Sequence, residues 1–135
     1  MISTEIILTA QFYDLDPMGV VWHGHYARFL EQARCQLLDD ISYNYVEMQA
    51  SGYIWPIVDM RVKYVRPIRF HQQFIVSATL VESANRLKID YIISDRASGE
   101  VLTKAHTVQV AVDAATNALC LESPAVFTDK LKGMK

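Results

Sequence analysis

An α+β fold, with one long helix and an antiparallel sheet, follows from three features of the sequence. Only residues 25–41 carry a long apolar stripe at helical spacing. After Ile54 the apolar period falls to two and holds through four runs, broken at Pro67, Ser83-Ala84-Asn85 and Asp95–Gly99. The connections between runs are short. Strands joined by short turns pair antiparallel, because a parallel return needs a crossover of about a dozen residues or more.

Glu5–Phe12 is the first expected strand. Ile6, Leu8 and Ala10 alternate with Ile7, Thr9 and Gln11, and the apolar character of both faces predicts cover on both sides. Asp14, Pro17 and Gly19 break the pattern and open a loop. The helix is expected from His25 to Ile41. Tyr26, Phe29, Leu30, Ala33, Leu37 and Ile41 form its stripe, and Arg28, Glu31, Gln32, Gln36 and Asp39 lie off it. Glu31 and Arg34, one turn apart, are placed to pair. A second short helix is expected over Tyr43–Ala50, ending at Gly52.

In the next strand Val58, Met60, Val62 and Tyr64 alternate with Asp59, Arg61 and Lys63, until Pro67 closes it. Phe74–Val81 follows, then a strand with Leu87, Ile89, Tyr91 and Ile93 on one face. A hairpin loop at Asp95–Gly99 leads to a last long strand, Val101–Val112, and Ser123 and Pro124 begin a short terminal helix. The four strands are expected in meander-like succession. One helix stripe covers one face of such a sheet. The strand patterns require burial on more than that face, so a partner subunit is expected.

No repeat, low-complexity tract or linker interrupts the chain, so residues 1–135 are taken as one domain. A chain of this length buries roughly two thirds of the surface its unfolded form exposes. It is 51% hydrophobic and 21% charged, ordinary for a globular protein, and a net charge of −2 gives no electrostatic reason to expect nucleic acid. Cys35 and Cys120 form no CxxC and no disulfide framework. The N-terminus is not signal-like and no apolar run nears the length of a membrane span. The expectation is a soluble cytoplasmic protein.

The chemistry concentrates between Phe12 and Tyr26, where two carboxylates, two histidines and two glycines fall together. A turn there would hold Asp16 near the start of the following helix. Such a start carries free backbone N–H groups and a partial positive charge of roughly half an electron. Gly24, before the helix, has no side chain to cap it, which leaves those N–H groups to a ligand or to water. A carboxylate facing such donors suits attack on a carbonyl: one group supplies a nucleophile or base, the other holds the oxyanion. As a metal pair, His23 and His25 would need a further ligand. No zinc spacing occurs, so neither metal nor cofactor is expected. Asp14 is a loop hydrogen-bonding group, His25 a surface residue, and His71 and His106 loop and strand positions without chemistry. Cys35 has no partner set for thiol catalysis.

Asp14-Leu15-Asp16-Pro17-Met18-Gly19-Val20-Val21-Trp22-His23, followed by Tyr26, by Glu31-Gln32-Ala33-Arg34 and by Tyr64-Val65-Arg66-Pro67, resembles the hotdog-fold acyl-CoA thioesterases. The branch it is most similar to is the 4-hydroxybenzoyl-CoA thioesterase and YbgC group. The resemblance implies a curved antiparallel sheet wrapped around one helix, two subunits pairing into one continuous sheet, and an active site between them. It implies Asp16 as the catalytic carboxylate. The backbone N–H of His23, with Gly24, becomes the donor to the thioester carbonyl, and the His23 side chain takes a supporting role. Substrate contacts fall to Trp22, Gly24, Val58, Asp59, Arg66 and Arg86, and Trp55 and Met60 join Trp22 as candidate acyl-pocket residues. Phe12 stands where YbgC-like chains often carry tyrosine. Ala84 and Asn85 stand where the benzoyl-CoA enzyme has basic residues, leaving Arg86 as the nearby match.

Arg61, Lys63, Arg66, Arg69, Arg86 and Lys88 form a candidate basic rim for the phosphates of coenzyme A, or simply a solvated sheet face. The expected partners are an acyl-CoA or an acyl carrier protein, and further copies of the chain in a dimer or tetramer. Two other functions compete with thioester hydrolysis: a non-catalytic acyl-CoA or acyl-carrier binding module on the same fold, and a hotdog dehydratase. A helix carboxylate, Glu31, is the alternative catalyst.

Overall fold

In the computed structural model, which describes residues 2–134, the one long apolar stripe lies at the centre of the molecule. Helix α1 (Tyr26–Ile41) buries Tyr26, Phe29, Leu30, Ala33, Leu37 and Ile41, and turns Arg28, Glu31, Gln32, Gln36 and Asp39 to solvent. Around it runs a five-stranded antiparallel sheet built from β1 (Ser3–Thr9), β3 (Ile57–Tyr64), β4 (Gln73–Glu82), β5 (Leu87–Asp95) and β6 (Val101–Gln109). The strand order is β1-β4-β5-β6-β3. Leu87, Ile89, Tyr91 and Ile93 point inward from β5, each at most 1% exposed. A two-stranded ribbon pairs β2 (Tyr53–Ile54) with β7 (Val112–Asp113). Helix α2 (Tyr45–Ala50) and helix α3 (Ala125–Lys132) close the end of α1 opposite its start. There Tyr43, Trp55 and Phe127 pack ring against ring, with centroids 5.1–6.1 Å apart. This is the helix-in-sheet architecture that the hotdog resemblance implies.

Several expected boundaries move. β1 ends at Thr9, paired with Gln73, and does not reach Phe12. Asp14 accepts the Gln11 N–H at 2.9 Å and bends Phe12–Asp14 into a 3-10 turn. β1 is not covered on both sides, since Ile7 on its outward face is 52% exposed. α2 starts after Asn44 rather than at Tyr43, because Asn44 and Glu47 make a capping box. The last long strand splits at Gln109, and its end pairs with β2 instead. Glu31 and Arg34 do not pair. Arg34 is buried, and the Tyr91 hydroxyl lies beside it.

The expected meander is also corrected. Only β4, β5 and β6 follow one another; β3 crosses to the far edge and pairs with β6. In this chain β3 is an edge strand, and every residue of it except Val62 is exposed. Alternation in the sequence marks the two faces of β3 from Asp59 to Tyr64, while a register shift between Ile57 and Asp59 takes Val58 out of the pattern. Burial of its apolar face needs a neighbour that this chain does not supply.

Candidate active site

The loop between β1 and α1 folds into a small hairpin. Trp22 N–H donates to the Asp14 carbonyl at 2.9 Å, Leu15 bridges Val21, and Asp16 N–H donates to the Val20 carbonyl at 2.8 Å. The tip closes when Gly19, at φ +79°, donates its N–H to the Asp16 carbonyl. Val20 and Val21 are held on their other side by Arg69 and Ile68. The base is anchored by Asp14, which is 3% exposed: one carboxylate oxygen takes the Gln11 N–H and the other takes Arg28 Nη2 at 2.8 Å. Asp14 is therefore a structural hydrogen-bonding group, as its place in the loop suggested.

Asp16 stands at the tip and is half-buried. Its Oδ1 accepts the Met18 N–H at 2.8 Å and the Val20 N–H at 3.4 Å, while no hydrogen bond to Oδ2 is found among the described residues. One oxygen of the carboxylate thus shapes the turn and the other is free.

Beyond the hairpin, His23–His25 form a 3-10 turn that runs directly into α1. Trp22 is the cap, with no side-chain hydrogen bond, and its carbonyl takes the His25 N–H at 2.9 Å. The N–H groups of His23 and Gly24 precede the first closed turn and have no acceptor inside it. The His23 carbonyl is held by the Tyr64 hydroxyl, which donates at 2.9 Å. The Trp22 indole lies across Gly24: a Cβ at Gly24 would come within 2.4 Å of Trp22 Cζ3. A side chain at position 24 would displace that ring from its present seat. The His23 and His25 rings each sit 5.3 Å from Trp22. Beneath this turn Tyr26 packs edge-on against Tyr64 at 4.8 Å. Burial, then the neighbouring Tyr64, raises the Tyr26 hydroxyl above the usual phenol range.

Asp16 and the helix start lie on one hairpin-and-turn segment. The tip is two residues beyond the Asp14–Trp22 pair, and the N–H groups of His23 and Gly24 follow Trp22 on the other side of that pair. Among the described residues no hydrogen bond joins Asp16 to His23 or Gly24.

Residues 10–131 match the family described as the Thioesterase-like superfamily. The chain belongs to that superfamily. The Bacillus subtilis (strain 168) protein named "Putative acyl-CoA thioesterase YneP" is 30% identical over 108 residues, 78% of this chain and 77% of that one. A solved DHNA-CoA thioesterase from Staphylococcus aureus is 27% identical, with a TM-score of 0.80 over 90% of this chain and 81% of that one. The 1,4-dihydroxy-2-naphthoyl-CoA thioesterase Slr0204 from Synechocystis shares the fold, with a TM-score of 0.85, 96% of each chain covered and 20% identity.

The remaining expected site residues of this thioesterase-like chain lie elsewhere. Trp22 and Gly24 accompany His23, but Val58 and Asp59 lie at the opposite end of β3. Tyr64 reaches His23, and Asp59 is five residues away, roughly 16 Å along an extended strand. Asp59 faces outward, its Oδ2 3.2 Å from His106 Nε2. Arg66 pairs with Glu100 at 2.9 Å and Arg86 with Glu82 at 2.7 Å, so both guanidinium groups already face a carboxylate. Trp55 is buried at the α2 end and Met60 is half exposed on β3, so neither joins Trp22 within one chain. Sequence reasoning did not single out Tyr64 as a support of the His23 turn, nor Arg28 as the anchor of Asp14. Their partners lie 41 and 14 residues away, and no local pattern announces them.

Proposed function

We propose that this protein is an acyl-CoA thioesterase, converting a thioester and water to a carboxylic acid and a free thiol. The observation that carries this is the pair of open N–H groups at His23 and Gly24 on the same hydrogen-bonded loop as the half-buried Asp16. A thioester carbonyl seated between them has its oxygen about 3 Å from the N–H donors and its carbon about 3 Å from the carboxylate. The donors hold the charge that develops on the oxygen. The free oxygen of Asp16 either takes a proton from the attacking water and passes it to the departing thiolate, or attacks the carbon directly, expelling the thiolate and leaving a mixed anhydride; water then hydrolyses that anhydride to the acid and the Asp16 carboxylate, and its proton completes the thiol. The His23 side chain borders the site, and Tyr64 keeps the turn in place through the His23 carbonyl.

The working unit is at least a dimer, built by pairing β3 with its copy. Ile57, Val58, Met60 and Tyr64 are 40–56% exposed on this edge. A row of unpaired backbone groups beside apolar side chains is normally covered. Antiparallel pairing sets the start of one β3 against the end of the other. Val58 and Asp59 of the partner subunit then approach Tyr64 and His23, which reunites the expected substrate contacts. Free thiols at Cys35 and Cys120 suit a reducing cytoplasm. No helix among the described residues is long and apolar enough to cross a membrane.

The occupied Oδ1 of Asp16 favours a second function, a binding module in which Asp16 only shapes the turn. Thiol release from a panel of acyl-CoAs and acyl carrier proteins separates the two. Turnover above the spontaneous rate that is abolished by Asp16→Asn supports hydrolysis. Tight binding without release supports the module.

A further inference from the structure

Arg34 is the one charged side chain that α1 buries. It is 8% exposed, yet no ion pair among the described residues includes it. Arginine is rarely buried without a partner, because a guanidinium taken out of water needs a counter-charge. The Tyr91 hydroxyl lies beside it, but that hydroxyl is neutral and already shares a hydrogen bond with Thr107 at 2.7 Å. Glu31, one turn earlier on the helix, is exposed and equally unpaired among the described residues. The chain thus sets a buried cation and a free carboxylate one turn apart and does not join them.

Arg34 leans toward the open edge of the sheet. Tyr91 belongs to β5 and Thr107 to β6, and Thr107 stands opposite Met60 of β3, half exposed on the same face. α1 and β3 run in opposite directions, with Tyr26 against Tyr64 at one end and Tyr43 against Trp55 at the other. The middle of β3, between Met60 and Arg61, is roughly 12 Å from Tyr64. The same distance along α1 from Tyr26 ends at about Arg34. Full-length antiparallel pairing of β3 with its copy sets the two-fold axis at this level. The two copies of α1 face each other there at opposite polarity, and Glu31 of one is offset from the partner's Arg34 by only about 4 Å along the helix. Two-fold contacts are reciprocal, so the second Glu31 meets the second Arg34 in the same way. We propose that Glu31 of each subunit forms an ion pair with the partner's Arg34, so that two such pairs tie the α1 helices across the seam. The inference rests on the β3 dimer proposed above. It gives the buried guanidinium its counter-charge, and it commits the Glu31 carboxylate to assembly rather than to attack on the thioester.

Charge reversal tests the pair. Glu31→Arg sets arginine against arginine at the seam, and Arg34→Glu sets glutamate against glutamate. Each variant alone should give the 15.4 kDa chain mass by light scattering at micromolar concentration. Mixed in equal amounts the two should recover the dimer mass, because both contacts of the heterodimer then join opposite charges. A contact within one chain is not restored by mixing. Thermal unfolding checks that each variant folds. Should Arg34→Glu not fold, Glu31→Gln, Arg34→Gln and the double variant take its place. Each single change should then raise the dimer dissociation constant at least about ten-fold, and the double variant should raise it by less than the product of the two. Single variants that dimerise as tightly as wild type overturn the proposal, as do a mixture that stays monomeric and independent effects in the double variant. So does a Glu31→Gln protein that loses activity with its dimer intact, since the carboxylate then serves the chemistry. A monomeric wild type removes the β3 dimer and the ion pair together, whereas a dimeric wild type without rescue on mixing removes the ion pair alone.

Discussion

Asp16→Asn separates the two roles of this side chain. In the turn, Oδ1 accepts Met18 N–H at 2.8 Å and Val20 N–H at 3.4 Å. Asparagine keeps that oxygen as an acceptor and loses only the charge. Hydrogen bonds to a charged group are worth roughly 1 kcal/mol more than neutral ones, and the 3.4 Å contact contributes little, so the cost to stability is about 1 kcal/mol. For a chain of this size that is roughly 3–5 °C in Tm. The chemical role has no substitute, because the amide neither attacks the carbonyl nor takes a proton from water. General-base roles are worth about 10²–10⁴-fold, and a lost nucleophile more, so kcat should fall at least about 10²-fold. Binding of a thioether analogue of the substrate should hardly change. Thiol release, calorimetric binding and thermal unfolding measure the three quantities. Near-full activity in Asp16→Asn, together with its loss in Glu31→Gln, would refute the assignment and move the chemistry to α1.

Gly24→Ala should push the Trp22 indole out of its place, because an added Cβ would lie within 2.4 Å of Cζ3, and it should lower kcat more than His23→Ala, which leaves both that ring's seat and the backbone donors in place. Equal activity in Gly24→Ala and wild type would show that the turn plays no part in catalysis. Light scattering at micromolar concentration should give at least twice the 15.4 kDa chain mass, and Met60→Asp on the open face of β3 should yield an inactive monomer; an active wild-type monomer would remove the shared site. The Asp95 carboxyl is held below the usual range by the Gln72 amide first and then by Ser98. Its stabilising contribution is present above the unfolded pKa of about 3.9 and is lost as pH falls through the lower folded value. The stability gap between wild type and Asp95→Asn in urea should therefore close below about pH 4, and a pH-independent gap would show that the Gln72 contact does not act through charge. Tyr26 and Tyr91 are both raised, chiefly by burial. Each stays protonated in the folded chain while its unfolded counterpart ionises, so stability should decline as pH rises above about 10.

The sequence by itself determined the elements whose signal is local. The α1 stripe from Tyr26 to Ile41 and the inward row Leu87, Ile89, Tyr91 and Ile93 were legible because each repeats a backbone period within a few residues. The loop from Asp14 to Gly24 stood out because turn residues and ionisable groups crowd there, and the family resemblance rested on that stretch. What the tertiary structure decided depends on partners far along the chain. β3 has the alternation of an inner strand, yet the crossover puts it at the edge. Asp14 and Asp16 are the same residue type two positions apart. Only folding brings Arg28 and the Gln11 N–H to the first and leaves an oxygen of the second free. Glu31 and Arg34 had the spacing of an ion pair, but packing of α1 on the sheet turned Arg34 toward Tyr91. Val58 and Asp59 were set apart from His23 by the direction of β3. Periodicity states which face a side chain occupies, and the long-range packing of strands and helices determines what stands opposite that face.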